Sequence, residues 1–332
     1  MALQGLNRRY RLEFGKALNL SNIEELEELQ VFVPDRGLSV QSRILSTDTG
    51  HRIQFDIEKT ASADQNKGSI TLTNINDDMK GFIEASAGQE VYVKLEAATN
   101  QEPLKVIFLG TIVSLTDRFE GVDRITKLTL GDGYTPAKEA VSSVSFLANE
   151  TYKSIIERLL VDMKLPTGIF DEPPLLMVAK APWSYDGPTV DGLRRVAKEI
   201  NYRFNITDGK VNFVDRHRVN LTEVAEYNER SGLIGSPAIL DKSQGIKQGS
   251  SESPTGIRFK VLLDGNLTVD SLVIINSRDF EGTFRISKVN HSGDWRGNGW
   301  YTECEALKVT DVRNPALSFF DVGEFDEGGN PI

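Results

Sequence analysis

FLGTIVSLTDRFEGVDRITKLTLGD (residues 108–132) and FEGTFRISKVNHSGDWRGNGWYTECEAL (residues 280–307) decide how this chain is read. Each opens with a Phe and a Gly-Thr pair, continues as a long alternating stretch, turns at a Gly-containing loop and returns as a second alternating run. Successive side chains on a strand point to opposite faces, so apolar residues at period two argue a half-buried antiparallel pair. Each segment also follows an alternating strand, EVYVKLEA (90–97) in one case and SLVIINS (271–277) in the other. The two units start 172 residues apart and read as one supersecondary unit used twice. Such a duplication has a geometric consequence. Two look-alike sheets in one chain can occupy equivalent positions about an axis. Three copies then present six similar units, able to meet a sixfold ring on one side and a threefold object on the other.

Outward from the first copy, IQFDIE (53–58), SITLTNI (69–75), KVIFLGTIVSLTDRF (105–119) and RITKLTLGD (124–132) alternate, with Gly, Asn and Asp clusters between them. A short helix is expected near DDMKGFIE (77–84). Residues 1–140 are therefore read as a first β-barrel domain, with six or seven strands from about residue 8. The character changes at 141. NETYKSIIERLLVDM (149–163) has helical spacing with Asn149 as the expected N-cap, and TVDGLRRVAKEIN (189–201) is a second helix. The Pro-rich stretch 171–188 reads as irregular, and YRFNITDGKVNFVDR (202–216) as a hairpin turning at Asp208-Gly209. Residues 141–230 thus form a small α/β insertion. Residues 231–312 return to β as a second barrel, with SGLIGSP and DKSQGIK read as connections, and 313–332 form an acidic, Gly/Pro-containing tail expected to be loose. The fold class expected is mainly β with an α/β insertion: two antiparallel β-barrel domains related by pseudo-symmetry, plus a small α/β domain.

The chain's 332 residues carry 38 Lys+Arg against 48 Asp+Glu, a formal net charge of −10. That balance argues against non-specific nucleic-acid binding, because phosphates are repelled on average. The longest apolar runs, such as LVII (272–275), fall far short of the ~20 residues of a membrane helix, and MALQGLNRRYRLEFG has no apolar core of a secretory signal. A lone Cys304, expected as a buried strand thiol, excludes an internal disulfide framework and any multi-cysteine metal site.

Candidate chemistry is sparse. His291 and Asp294 are three residues apart in NHSGDWRGNG (290–299), which reads as a Gly-rich hairpin loop making local backbone bonds rather than an acid–base pair. His51 and His217 lack metal-ligand spacing. Glu24, Glu25, Glu27 and Glu28 read as a solvated acidic segment, and no carboxylate pair stands out as the two needed for glycoside hydrolysis. GDG (131–133) reads as a strand-end turn rather than a phosphate loop, and Trp183, Trp295 and Trp300 as core or interface anchors. No catalytic, cofactor-binding or metal-binding residues are singled out, and no cofactor is expected.

GLIGSP (232–237), GIRFKVLLDGNLTVDSLVII (256–275) and FEGTFRISKVNHSGDWRGNGWYTECEAL (280–307) together resemble the C-terminal region of baseplate hub proteins of phage tails and related contractile injection systems. The resemblance covers about a quarter of the chain. One departure stands out: Leu262-Leu263-Asp264-Gly265 occupies the place of a Leu-Leu-Asn-Pro type turn. The resemblance implies a structural virion protein located in the tail baseplate and assembled in the bacterial host cytoplasm. It implies a homotrimer whose two tube-protein-like domains form a pseudo-sixfold collar. That collar would seat the tail tube protein ring on one face and hold the spike or tail-tip protein on the other, among other baseplate proteins. DNA would pass through the channel without specific binding, and a net negative wall would fit that passage. The main alternative is a cell-wall-degrading hydrolase of the tail tip with the α/β block as catalytic domain; a carbohydrate-binding module is a third. Clearing on peptidoglycan gels that is lost on changing one carboxylate within 141–230 would favour the hydrolase.

Overall fold

The computed structural model describes residues 7–15, 44–46, 50–61, 66–85, 92–100, 102–132, 139–215, 224–240, 256–278 and 280–308. The first module contains β1 (Arg8–Gly15), β2 (Ile44–Ser46), β3 (Arg52–Thr60), β4 (Lys67–Thr73), helix α1 (Asp77–Ala85), β5 (Tyr92–Thr99), β6 (Lys105–Glu120) and β7 (Asp123–Gly131). Its strands lie in the order β3-β4-β7-β6-β5-β1-β2, every neighbour antiparallel. The alternation read from sequence is the burial pattern. In β3, Ile53, Phe55 and Ile57 face inward while Arg52, Gln54, Asp56 and Glu58 face out. Leu12, Leu72, Leu95, Phe108 and Leu128 fill the same core, and Met79 and Ile83 of α1 cover it.

The second module contains β13 (Ala225–Asn228), β14 (Ala238–Ile239), β15 (Gly256–Leu262), β16 (Leu272–Asn276), β17 (Glu281–Asp294) and β18 (Trp300–Lys308). Its order, β14-β15-β18-β17-β16-β13, repeats β3-β4-β7-β6-β5-β1 of the first module, with no counterpart of β2 among the described residues. Gly110 lies opposite Val93 and Gly282 opposite Ile275, and counted back from the bulges at Ile112/Ser114 and Ile286/Lys288 the two Gly-Thr pairs stand two rungs apart in their ladders. The repeat fails at the far end, where β13 runs parallel to β16 while β1 runs antiparallel to β5.

Between the modules stand β8 (Val141–Phe146), α2 (Tyr152–Met163), β9 (Thr167–Phe170), β10 (Trp183–Pro188), α3 (Thr189–Glu199), β11 (Tyr202–Thr207) and β12 (Lys210–Asp215). They share a separate core in which Ile156, Leu159 and Met163 of α2 meet Leu193 and Val196 of α3 and Phe213 of β12. The chain is thus mainly β with an α/β insertion, and the described strands of the first domain number seven, β1 to β7.

Three local expectations are corrected. Thr151, not Asn149, caps α2: its side chain accepts from the Ser154 amide, the usual N-cap reach, while Asn149 sits outside the helix at φ 70°. The Pro-rich stretch ends in β10, which pairs with β8 from Trp183 to Pro188. SGLIGSP is not only a connection. Leu233 bridges Val261, Ile234 donates to the Lys260 carbonyl, and Ala238 and Ile239 pair with β15, so this segment forms the edge of the second module. The Glu24–Glu28 segment, His217, the second connection DKSQGIK and the C-terminal tail lie outside the described residues.

Candidate functional site

The two modules meet edge to edge. β17 is long enough to serve two partners in turn: Glu281–Arg285 pairs with β16, and Lys288–Asp294 pairs with β3 of the first module, while β18 runs along its other side. The change of partner coincides with a β-bulge between Ile286 and Lys288. A bulge bends a strand and increases its twist, which turns the distal half away from β16. The result is one sheet of 13 strands spanning both modules.

On the outward face this seam is polar. Arg52 Nη2 lies 2.6 Å from Asp294 Oδ2, and Gln54 Nε2 donates to the same oxygen at 2.8 Å. Ser292 Oγ donates to Asp56 Oδ1 at 2.9 Å, and Lys288 Nζ pairs with Glu58 at 2.8 Å. Burial pushes the Asp294 carboxyl up, but hydrogen bonds from Arg52, Gln54 and the Arg296 amide outweigh it and hold the group below its ordinary value. The same face continues in both directions. Arg118 pairs with Glu120 on β6, and Arg258 with Glu305 across β15 and β18. A shallow depression of about 390 Å³ opens on it, lined among others by Arg52, Thr71, Arg118 and Lys127. Carboxylates and cations interleave here, so the net negative charge of the chain is not concentrated on this surface.

On the inward face the seam is buried and holds the group of residues that sequence reasoning missed. Lys59 continues the inward phase of Ile53, Phe55 and Ile57, and its side chain is 1% exposed. Its Nζ donates to both oxygens of Asp208, at 2.8 and 2.7 Å, at the tip of the β11–β12 hairpin. The neighbouring Gly209 amide donates to Asp132 at 2.6 Å, and Asn66 Nδ2 donates to the Ile206 carbonyl at 2.7 Å. Burial, and then repulsion from Asp208, push the Asp132 carboxyl up to about 7. The insertion also reaches the second module, where Arg203 pairs with Asp270. The hairpin therefore clamps the seam from inside. Its signals were present in sequence, as a lysine at a core phase of β3 and a Gly-Asp at the end of β7, but period and turn chemistry alone do not name their partner.

The residues weighed for chemistry are separated by the fold. β17 continues through Asp294, so HSGD is strand and only residues 295–299 form the loop. His291 points inward, fully buried, with Nδ1 2.9 Å from Thr302 Oγ1. Burial, reinforced by Lys59, lowers its pKa well below the ordinary histidine value and keeps it neutral. Asp294 is on the outward face. Cys304 is buried and its thiol pKa is raised, first by burial. Trp183 and Trp300 belong to cores, and Trp295 packs on one. In the departed turn, Asp264 accepts from the Tyr227 hydroxyl at 2.5 Å. Among the described residues, no group of three His, Cys, Asp or Glu is placed to hold a metal ion, and no helix is long and apolar enough to cross a membrane.

This architecture has counterparts among solved structures. A 43 kDa tail protein of prophage MuSo2 from Shewanella oneidensis superposes with a TM-score of 0.58 at 9% identity, covering 91% of this chain and 97% of that one. The fold is that of phage tail proteins. A tail protein from Neisseria meningitidis MC58 matches with a TM-score of 0.54 at 10% identity, over 77% of this chain and 91% of that one. A type VI secretion component of E. coli, described as similar in structure to T4 bacteriophage tail proteins gp27 and gp5, matches with a TM-score of 0.54 at 11% identity, over 78% and 74%. No protein-family model matches the sequence, and no curated protein matches it.

Proposed function

We propose that this chain is a structural virion protein, the trimeric hub of a tail baseplate, seating the sixfold tail tube on one face and the threefold spike or tail tip on the other. The observation that carries the reading is the fusion of two modules that share a six-strand order into one sheet through β3 and β17. Three such chains supply six like units around an axis, which matches a sixfold ring without giving up threefold contacts to the spike. The outward polar face is the surface suited to a channel. Several of its cations are engaged by neighbouring carboxylates, as in Arg52–Asp294, Arg118–Glu120 and Lys288–Glu58, so charge on this face is interleaved rather than gathered into a basic stripe among the described residues, and DNA passes without specific binding. The insertion serves as the internal clamp of the seam rather than as a catalytic domain, and its hairpin carboxylate Asp208 is committed to Lys59.

The test is the assembly state of the full chain, alone and with its tube and spike neighbours, by native mass spectrometry and by cryo-EM of the intact tail end. A threefold species with the β3 and β17 outward face toward the axis is expected. A chain that stays monomeric with both neighbours present overturns the reading, and peptidoglycan clearing that depends on one carboxylate of 141–230 would replace it with the hydrolase.

A further inference from the structure

The insertion is held to the two modules by charged contacts rather than by strands. It has a core of its own, and among the described residues none of its strands pairs with a strand of either module. It meets the first module at the tip of the β11–β12 hairpin, through Asp208 and Gly209. It meets the second near the start of that hairpin, where Arg203 pairs with Asp270. Relative motion is the ordinary expectation for a unit attached through small polar contacts. Such a body can leave the seam without unravelling.

The hairpin tip lands on a row of side chains that is one cation short. Continuing the register Glu58–Lys67–Gly131 by one rung sets Lys59, Asn66 and Asp132 side by side at the ends of β3, β4 and β7, all three buried. The Asp132 amide donates to the Asn66 carbonyl at 3.2 Å and holds the row together. Lys59 gives its ammonium to both oxygens of Asp208. Asp132, 0% exposed, is left with neutral donors: the Gly209 amide at 2.6 Å and Asn66 Nδ2 at 3.4 Å. A buried carboxylate without a cation of its own is costly, so the group keeps its proton to a higher pH instead. His291, the titratable group that β17 sets near Lys59, is neutral, and the Leu109 amide of β6 is spent on Asp208. The docked cluster is neutral only with that proton. Taking the hairpin away changes the count. Asp208 and the Gly209 amide leave together, and Lys59 remains two strand spacings from Asp132, ~9.5 Å between Cα atoms, a gap that the two side chains close between them.

We infer that docking of the insertion on the seam takes up one proton: docked, Lys59 serves Asp208 and Asp132 is a neutral acid; released, Lys59 serves the Asp132 carboxylate and Asp208 stands in water. The proton comes from solvent and returns to it. The docked Asp132 holds it up to about pH 7, and the Asp132 paired with Lys59 only to a lower pH. Docking is therefore tightest in acid, weakens about tenfold per pH unit between the two values, and is weakest from neutral pH upward. Burial raises Asp270 at the second contact in the same sense, against Arg203 and Arg285, so the share of Asp132 is read by difference. The insertion is then a clamp that loosens as an acidic medium turns neutral, whether or not the chain forms a trimer.

The experiment uses the full-length chain with fluorophores on Lys127→Cys, exposed on β7, and Lys180→Cys, exposed on the insertion; the native Cys304 is buried. Single-molecule energy transfer between about pH 5 and about pH 8 should show two distances, with the released-to-docked ratio rising up to tenfold per pH unit and levelling near neutral pH. Asp132→Asn, neutral throughout, should hold the clamp: its ratio at neutral pH should be at least tenfold lower, with a much flatter dependence on pH. A single distance over the whole range overturns the inference, and so does an Asp132→Asn chain with the slope of its parent. Should the labelled chains fail to fold, hydrogen exchange in the unmodified chain decides, once corrected for the chemical exchange rate. Protection of residues 206–211 that falls with rising pH more steeply than that of β3 supports the proton-coupled clamp, and parallel behaviour overturns it.

Discussion

The two β modules share a strand order but differ in how their equivalent edge strands are held. In the first, β3 is nine residues long, sits between β4 and β17, and has the insertion hairpin locked onto its inward face through Lys59. In the second, the equivalent β14 is two residues long and, among the described residues, paired on one side, with both its residues exposed. The meander β5-β6-β7-β4 and its copy β16-β17-β18-β15 vary little, because each strand there is fixed by two neighbours and a buried face. The edges vary because their described partners differ: β3 has strands on both sides and β14 on one. Most of the ways to break this comparison act on the closed edge.

The largest effect is expected at Lys59. Lys59→Met keeps the buried stem and removes the charge, leaving Asp208 without its cation beside Asp132. Breaking a buried pair from one side costs about 3–5 kcal/mol. Denaturant unfolding should register that loss, and Asp208→Asn in the same chain should recover part of it, giving a clear coupling energy in a double-mutant cycle. A loss below 1 kcal/mol would mean that the hairpin does not lock the seam.

The same cluster predicts an unusual pH dependence. The Asp132 carboxyl titrates near 7 in the folded chain, against an ordinary value of 3.8. Between those values the folded state holds a proton that the unfolded state has released, so the contribution of Asp132 to stability falls as pH rises from about 4 to about 7 and is flat above. One proton corresponds to about 1.4 kcal/mol per pH unit in that window. His291 acts in the opposite sense: its lowered pKa favours the fold as pH rises toward 6.5. Asp132→Asn should therefore leave a chain whose stability climbs more steeply with pH over this range than that of the unmodified protein. Parallel curves would exclude a buried proton at Asp132.

The repeated glycines sharpen the comparison in another way, because each is required for a different reason. A Cβ at Gly110 would lie 2.7 Å from the Gly131 carbonyl oxygen and 2.6 Å from Phe108. At Gly282 a Cβ meets nothing closer than 3.6 Å, but φ is +148°, a conformation that L side chains rarely adopt. Gly110→Ala should cost about 1–3 kcal/mol by overpacking, with part recovered by Phe108→Leu. Gly282→Ala should cost about 1–3 kcal/mol by backbone strain, toward the low end, and trimming its neighbours should recover nothing. Thermal unfolding of the four variants distinguishes the two causes.

Much of this was legible in sequence because strands write their burial in alternate letters. β3, β4, β6, β7, β17 and β18 stand where the alternating runs and the Gly-Thr pairs place them, and the hairpin turns at Asp208-Gly209. What sequence does not carry is who sits beside whom. β14 looks like a connection because two paired residues leave no periodicity, and β13 and β16 run parallel with the chain from 229 to 271 between them. Lys59 looks like an ordinary strand lysine until the partner hairpin, 149 residues away, supplies Asp208. The loop reading of NHSGDWRGNG follows turn composition correctly but misses that β3 captures its first half as strand.

The smallest expected effect lies on the outward face of the same seam. Arg52 donates to Asp294 through both Nε and Nη2, a bidentate geometry that favours the pair. Its side chain is nevertheless 43% exposed, so water and salt screen the charge. Gln54 and the Arg296 and Gly297 amides still serve Asp294 when Arg52 is gone. Arg52→Ala should therefore cost under about 1 kcal/mol, and the difference should shrink further between 0.05 and ~1 M salt. The contrast with Lys59 is then a contrast of faces: two lysine-or-arginine to aspartate contacts on one strand, seven residues apart, differ severalfold in worth because one is sealed by the hairpin and the other is wet. A loss at Arg52 equal to that at Lys59 would mean that the outward face is not a solvated surface in the isolated chain.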